Sequence, residues 1–237
     1  MDIITTPPIY LFRNVGIKMG ISNIEVRHLR EPFSGLSHLI GAMLTIPALI
    51  FMLINLPAQN ASTYLTSYLV FCASMFLMFG SSATYHLLDI SELGLKRLKR
   101  IDHIAIFIMI AGTYTPYCLI GLEGALSWFM FTLIWGVAIV GVMVKIFWLH
   151  APRWLSTLLY VAMGWVAILI YEPLSQNLSS ESIYWLIAGG VVYTLGAVIY
   201  ATKWPNIHQK YFNFHDLWHV FVLGGAACHF VSIAFYL

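Results

Sequence analysis

The chain has 237 residues, of which 60% are hydrophobic and only 9% charged, with a mean hydropathy of +0.81. A soluble domain carries about a quarter of its residues as charges, so a water-soluble protein is excluded and a multi-span membrane protein is expected. The formal net charge of +2 gives no footing for nucleic acid, and Cys72, Cys118 and Cys228 fall in apolar runs without a CxxC spacing, which implies no disulfide framework.

From the N-terminus, Pro7 and Pro8 come early and Arg13, Lys18, Arg27 and Arg30 interrupt any apolar core. Residues 1–30 therefore read as a retained cytoplasmic segment and not as a signal peptide, with 31–237 forming one membrane domain. A window of about 19 residues picks out seven apolar segments near 35–56, 64–88, 102–121, 125–147, 154–171, 183–202 and 214–236, each long enough for a membrane-spanning helix. The expected fold is all-α, a seven-transmembrane helix bundle.

The connections carry the topology. With seven spans, all twelve Lys and Arg residues fall on one side: four before the first span, Lys96, Arg97, Lys99 and Arg100 after the second, Lys145 and Arg153 around the fourth turn, and Lys203 and Lys210 before the seventh. The opposite connections hold Glu123, Glu172 and Glu181 and no basic residue. The positive-inside rule then places the N-terminus in the cytoplasm and the C-terminus outside.

That orientation assigns depths to the ionisable residues. The second span reaches His86 in its last inner turn, with Ser82 one turn earlier on the same face; the third is expected to start with Asp102; the seventh starts with His215 and His219. Histidines four residues apart lie on one helix face and can reach a single ion. Three imidazoles at one level suit zinc, leaving a fourth position for water whose pKa the metal lowers to about 7. In this reading His86, His215 and His219 are the metal ligands, while Asp102 and Ser82 orient a ligand or handle the water's proton. The alternative is a set of interhelical hydrogen bonds without metal.

Other candidates are weaker. His38, with Ser37 and Glu31, shares the depth and is open to a supporting or a packing role. His103 points about 100° away from Asp102 around its helix. His229 lies about 15 Å beyond His219 and is too deep to join the site; it reads as a buried hydrogen-bonding group elsewhere in the bundle, with a place in a lipid cavity as the lesser alternative. His28, His150 and His208 fall in or near loops, and Asp216 reads as a helix-start acid favoured by the helix dipole. The outer halves of the helices are expected to be nearly bare of polar groups.

At these residues the sequence resembles the hemolysin III proteins, the bacterial branch of the progestin and adiponectin receptor superfamily. Glu31-Pro32-Phe33-Ser34-Gly35-Leu36-Ser37-His38 is similar to the family's opening segment, and Ser82 to His86 to its Ser-x3-His motif. Asp102-His103-Ile104-Ala105-Ile106-Phe107 followed by Ala111 to Pro116, and His215-Asp216-Leu217-Trp218-His219, match the third and seventh helices. The resemblance implies zinc held by His86, His215 and His219 with Asp102 and Ser82 beside it. It also implies a multi-pass protein of the bacterial inner membrane acting in lipid or fluidity homeostasis, with a membrane lipid or fatty-acyl substrate and ceramidase-like amide hydrolysis as a model.

Three functions follow as expectations: a zinc-dependent membrane hydrolase of lipid amide or ester bonds, a zinc-braced sensor of the membrane without turnover, and an ion or proton pathway. The last needs polar residues across the whole bilayer.

Overall fold

The computed structural model describes residues 29–149, 151–208 and 212–237. Nearly all of the 1–30 segment, with Arg13, Lys18, Arg27 and His28, and also His150 and Lys210, lie outside the described residues. Among the described residues the chain is all-α, with no strand, in eight α-helices: α1 (Pro32–Ile54), α2 (Ala61–Leu87), α3 (Glu92–Pro116), α4 (Gly124–Phe147), α5 (Arg153–Trp165), α6 (Tyr171–Asn177), α7 (Ser180–Thr202) and α8 (Phe214–Tyr236). Seven spans are long and apolar enough to cross a membrane, the fifth built from α5 and α6 together. The seven-helix expectation holds, and α8 coincides with the segment expected at 214–236.

The third span departs from the sequence reading. It was expected from residue 102, but α3 begins at Glu92, so Lys96, Arg97, Lys99 and Arg100 are helical. Ser91 caps this start, its Oγ accepting from the Gly94 N–H at 3.3 Å, and Glu92 places an acid in the first turn, where the dipole favours it. A hydropathy window ends at the first charge, whereas a helix continues into the aqueous layer. The whole span Glu92–Gly121 has 30 residues, about 45 Å against a hydrocarbon core of about 30 Å. Asp102 consequently lies in the third turn of α3 and not in its first.

Two irregular stretches interrupt the spans. After Pro116 the chain widens into a π-helical turn, Tyr117–Gly121, whose carbonyls are met by neighbours: Ser127 Oγ donates to Cys118 O at 2.7 Å and Asn177 Nδ2 to Gly121 O at 3.1 Å. Between α5 and α6, Val166–Ile170 tightens to a 3-10 helix. There the Tyr114 hydroxyl of α3 accepts from the Ala167 N–H at 2.7 Å and donates to the carbonyls of Gly164 and Met163, at 2.5 and 3.1 Å. Broken helix at membrane depth is tolerated where protein groups satisfy the freed backbone.

The α8 helix packs along both α7 and α1, α1 on α2, α2 on α3, and α3 on α4 and α5. The third span is the most enclosed, with 61% of its apolar window buried against 28% for the first and fourth spans. Close approach depends on small residues. A Cβ added at Gly112 would lie 2.0 Å from Ser74 Oγ across the α2–α3 contact, and one at Gly225 would lie 2.7 Å from the Tyr193 ring across α7–α8. Because α8 closes against α1, its first two turns are brought to the end of α2.

Candidate metal centre

The last turn of α2 supplies His86 and the first two turns of α8 supply His215 and His219. Asn213 starts α8 with a reciprocal capping box, its side chain accepting from the Asp216 N–H while Asp216 Oδ2 accepts from the Asn213 N–H. This locks the register in which both histidines turn toward α2. His86 Nε2 lies 3.4 Å from His215 Nε2, and His219 Nε2 lies 3.2 Å from His215 Nε2. The three residues each offer a nitrogen within 4.8 Å of the others. A tetrahedral zinc with Zn–N bonds of about 2.0–2.1 Å separates its ligand nitrogens by about 3.3–3.4 Å, so this all-nitrogen donor set fits the ion.

The surrounding groups support the fit. His86 Nδ1 is hydrogen-bonded to Glu31 Oε2, which fixes the tautomer and turns the Nε2 lone pair toward the other imidazoles. Burial pushes the Glu31 carboxyl up, but the hydrogen bond and charge of His86, with Arg30 beside it, hold it below the usual carboxylate range. His86 and His219 are 3% and 2% exposed.

His38 is more central than the sequence suggested. It is 2% exposed, its ring stacks on His219 with centroids 3.8 Å apart, and its Nδ1 lies 2.8 Å from Ser82 Oγ. It therefore ties α1 to both α2 and α8. Its place beside Ser37 and Glu31 at the start of the first span carried the signal, but the helix face was not readable from one chain. Ser82 engages His38, and Asp102 lies within electrostatic reach of Ser82 and His86, lining the same cavity. Asp216 does more than start a helix, because its Oδ1 accepts from Ser34 Oγ of α1 at 2.7 Å.

The histidines open on a cavity of about 650 Å³, within the range of sites for small organic ligands. Its walls are mostly apolar, with Ile106 and Met109 from α3 and Leu186 and Val222 from α7 and α8. His229, expected in another part of the bundle, lines this cavity, about 15 Å along α8 from His219. Its ring stacks on Tyr193 with centroids 5.5 Å apart, and its Nδ1 has no hydrogen-bond partner among the described residues. The hydroxyl of Tyr193 is likewise unpaired there, the Tyr117 hydroxyl lies beside Ser232, and Ser182 and Ser232 are hydrogen-bonded at 3.0 Å in the same half of the bundle. That half is thus not bare of polar groups. His103 also lines the cavity, outside the three-histidine group.

A sequence model of the family described as "Haemolysin-III related" matches residues 26–230. The chain belongs to the haemolysin III family. It is 38% identical over 207 residues to "Hemolysin-3" of Bacillus cereus, covering 87% of this chain and 91% of the relative. It is 37% identical over 207 residues to the "Hemolysin-3 homolog" of Bacillus subtilis, covering 87% of this chain and 93% of the relative. A more distant relative, the human "Monocyte to macrophage differentiation factor", is 23% identical over 83% of this chain and 81% of its own length. This match and one at 22% identity to the "Adiponectin receptor protein" of Drosophila melanogaster, over 84% of this chain and 48% of the relative, agree with membership of the progestin and adiponectin receptor superfamily. Every residue of the three-histidine group and its supports lies inside the haemolysin III match. The chain is a multi-pass membrane protein of that family with a histidine group able to hold a metal.

Proposed function

We propose that this haemolysin III-family protein is a zinc-dependent hydrolase of lipid amide or ester bonds in the bacterial inner membrane, with its basic end in the cytoplasm. The observation that carries the reading is the convergence of three imidazoles, with His215 Nε2 3.4 and 3.2 Å from those of His86 and His219 and all three donors within 4.8 Å of one another, on an apolar cavity sized for a lipid chain. His86, His215 and His219 would hold the ion, and Glu31 keeps His86 in the ligating tautomer. Zinc bound there would supply Lewis-acid activation of a carbonyl and of water. The cavity walls hold the acyl chain and exclude bulk water from the scissile bond. Asp102, lining the cavity beside His86, takes the proton of the water that adds to the carbonyl carbon and returns it to the departing amine or alcohol. Ser82, engaged by His38 Nδ1 and beside Asp102, positions that imidazole against His219 and orients the Asp102 carboxylate.

A second reading is favoured by where the donors come from. The ligands join α2 to α8, and Glu31 and His38 add the entry of α1, so the ion would also brace three elements as a membrane sensor without turnover. Metal content of purified protein separates the readings together with lipid turnover. About one zinc per chain, lost in His86→Ala and in His215→Ala/His219→Ala, with amide or ester hydrolysis that stops on chelation and returns with zinc, supports the hydrolase. Bound zinc and a chelation-sensitive melting point without turnover of any lipid amide or ester would leave the brace. An ion pathway is tested by flux in proteoliposomes and its loss in Asp102→Asn.

A further inference from the structure

At the same end of the bundle as the histidines, a second polar group lines the cavity. Lys145, in the last turn of α4, is 2% exposed. Its Nζ donates to Ser156 Oγ of α5 and sits 6.0 Å from the centre of the Tyr160 ring. No carboxylate reaches it among the described residues, where the ion pairs are those of Glu31 with Arg30 and His86. Lys99 of α3 lies near enough for its charge to oppose that of Lys145. His103, one turn beyond Lys99, has a buried Nδ1 with no hydrogen-bond partner among the described residues. Lys99, His103, Lys145, Ser156 and Tyr160 all line the cavity. A cation buried against a neutral hydroxyl and opposed by a second cation is costly unless an anion joins it.

We propose that Lys145, Lys99, His103 and Ser156 form a binding site for the oxyanion of a lipid headgroup, a phosphate or carboxylate, at the mouth of the cavity. Lys145 and Lys99 supply charge, and Ser156 and His103 Nδ1 supply hydrogen bonds. Asp102 lies close enough for its charge to reach Lys99 and Tyr160, but among the described residues it forms no ion pair with Lys145 or Lys99. The inference rests on the lipid-hydrolase reading only for the ligand's tail. It narrows the substrate class to anionic amphiphiles whose chain enters the cavity while the headgroup stays at α3, α4 and α5.

The test is a thermal-unfolding titration of zinc-loaded, full-length protein in uncharged detergent. Three probes are used: dioctanoyl phosphatidic acid, dioctanoylglycerol with the same chains but no anion, and inorganic phosphate. The wild type should be stabilised saturably by the phosphatidic acid and far less by the diacylglycerol. Lys145→Met, which keeps the apolar stem, should need about tenfold more phosphatidic acid for half-saturation, the loss expected for a charged hydrogen bond. Its ligand-free melting point should equal or exceed that of the wild type, because an uncompensated buried charge has been removed. Lys99→Gln, at an exposed position, should weaken the phosphatidic acid effect in the same direction. Unchanged half-saturation in Lys99→Gln, with Lys145→Met either unchanged or unfolded, overturns the proposal. Full stabilisation by inorganic phosphate at the same concentration overturns the lipid source and assigns a soluble oxyanion. Failure of the hydrolase reading is seen separately, as intact binding without turnover.

Discussion

The rings of His38 and His219 lie face to face, 3.8 Å between centroids and inclined by 28°, one contributed by α1 and the other by α8. The contact joins the first and last spans at the level of the metal group. It leaves His219 Nε2 directed at His215 while His38 Nδ1 is held by Ser82.

Ser82→Ala removes the partner of a buried imidazole nitrogen and leaves the three ligating nitrogens in place. A loss of about 1–3 kcal/mol of stability is expected, with zinc content unchanged at about one per chain. Thermal melting and elemental analysis of the same preparation check both parts. Loss of zinc in a folded variant would mean that Ser82 contacts the ion's shell itself.

Glu31→Gln keeps the size of the side chain but loses the carboxylate that fixes His86. Outer partners of this kind are worth about 10–100-fold in metal affinity. Competition against a fluorescent zinc chelator should show a drop of that size, with a melting point close to wild type when zinc is saturating.

Asp216 links the capping box of α8 to Ser34 of α1. Asp216→Ala removes both interactions and should cost about 1–3 kcal/mol. Ser34→Ala, which removes one, should cost less. If the two variants melt alike, the cap contributes nothing measurable and the interhelical bond carries the effect.

Gly112→Ala tests the closest helix contact, since its new Cβ would meet Ser74 Oγ at 2.0 Å and Ser74 Cβ at 2.5 Å. Overpacking of this kind costs about 1–3 kcal/mol. Ser74→Gly in the same chain should recover most of it, because both clashing atoms are removed. A double-mutant cycle on melting points measures the coupling; additive losses would place the strain elsewhere, such as at the Val70 carbonyl 3.3 Å away.

Much of the fold was legible because a bilayer imposes a length and a composition on each span. Seven apolar runs and the gathering of Lys and Arg at alternate span ends and connections specify seven helices, and α8 falls where its hydropathy placed it. The His-x3-His pair was readable for the same reason, since helical periodicity puts residues four apart on one face. The early start of α3 was not, because hydropathy reports the medium around a helix and not the helix itself. Local signals at Ser91 and Glu92 were available, but only outside the apolar window.

Rotation of each helix about its own axis is decided by packing, and a uniformly apolar span has no polar face to reveal it. The sequence by itself determined the class of protein, the number of spans and a level at which His86, Asp102, His215 and His219 lie together. Only the tertiary structure decided that Glu31 reaches His86, that His38 stacks on His219, and that Lys145 and His229 line one cavity. Those relationships depend on which helices become neighbours and on how closely residues such as Gly112 and Gly225 let them approach, and both are properties of the assembled bundle.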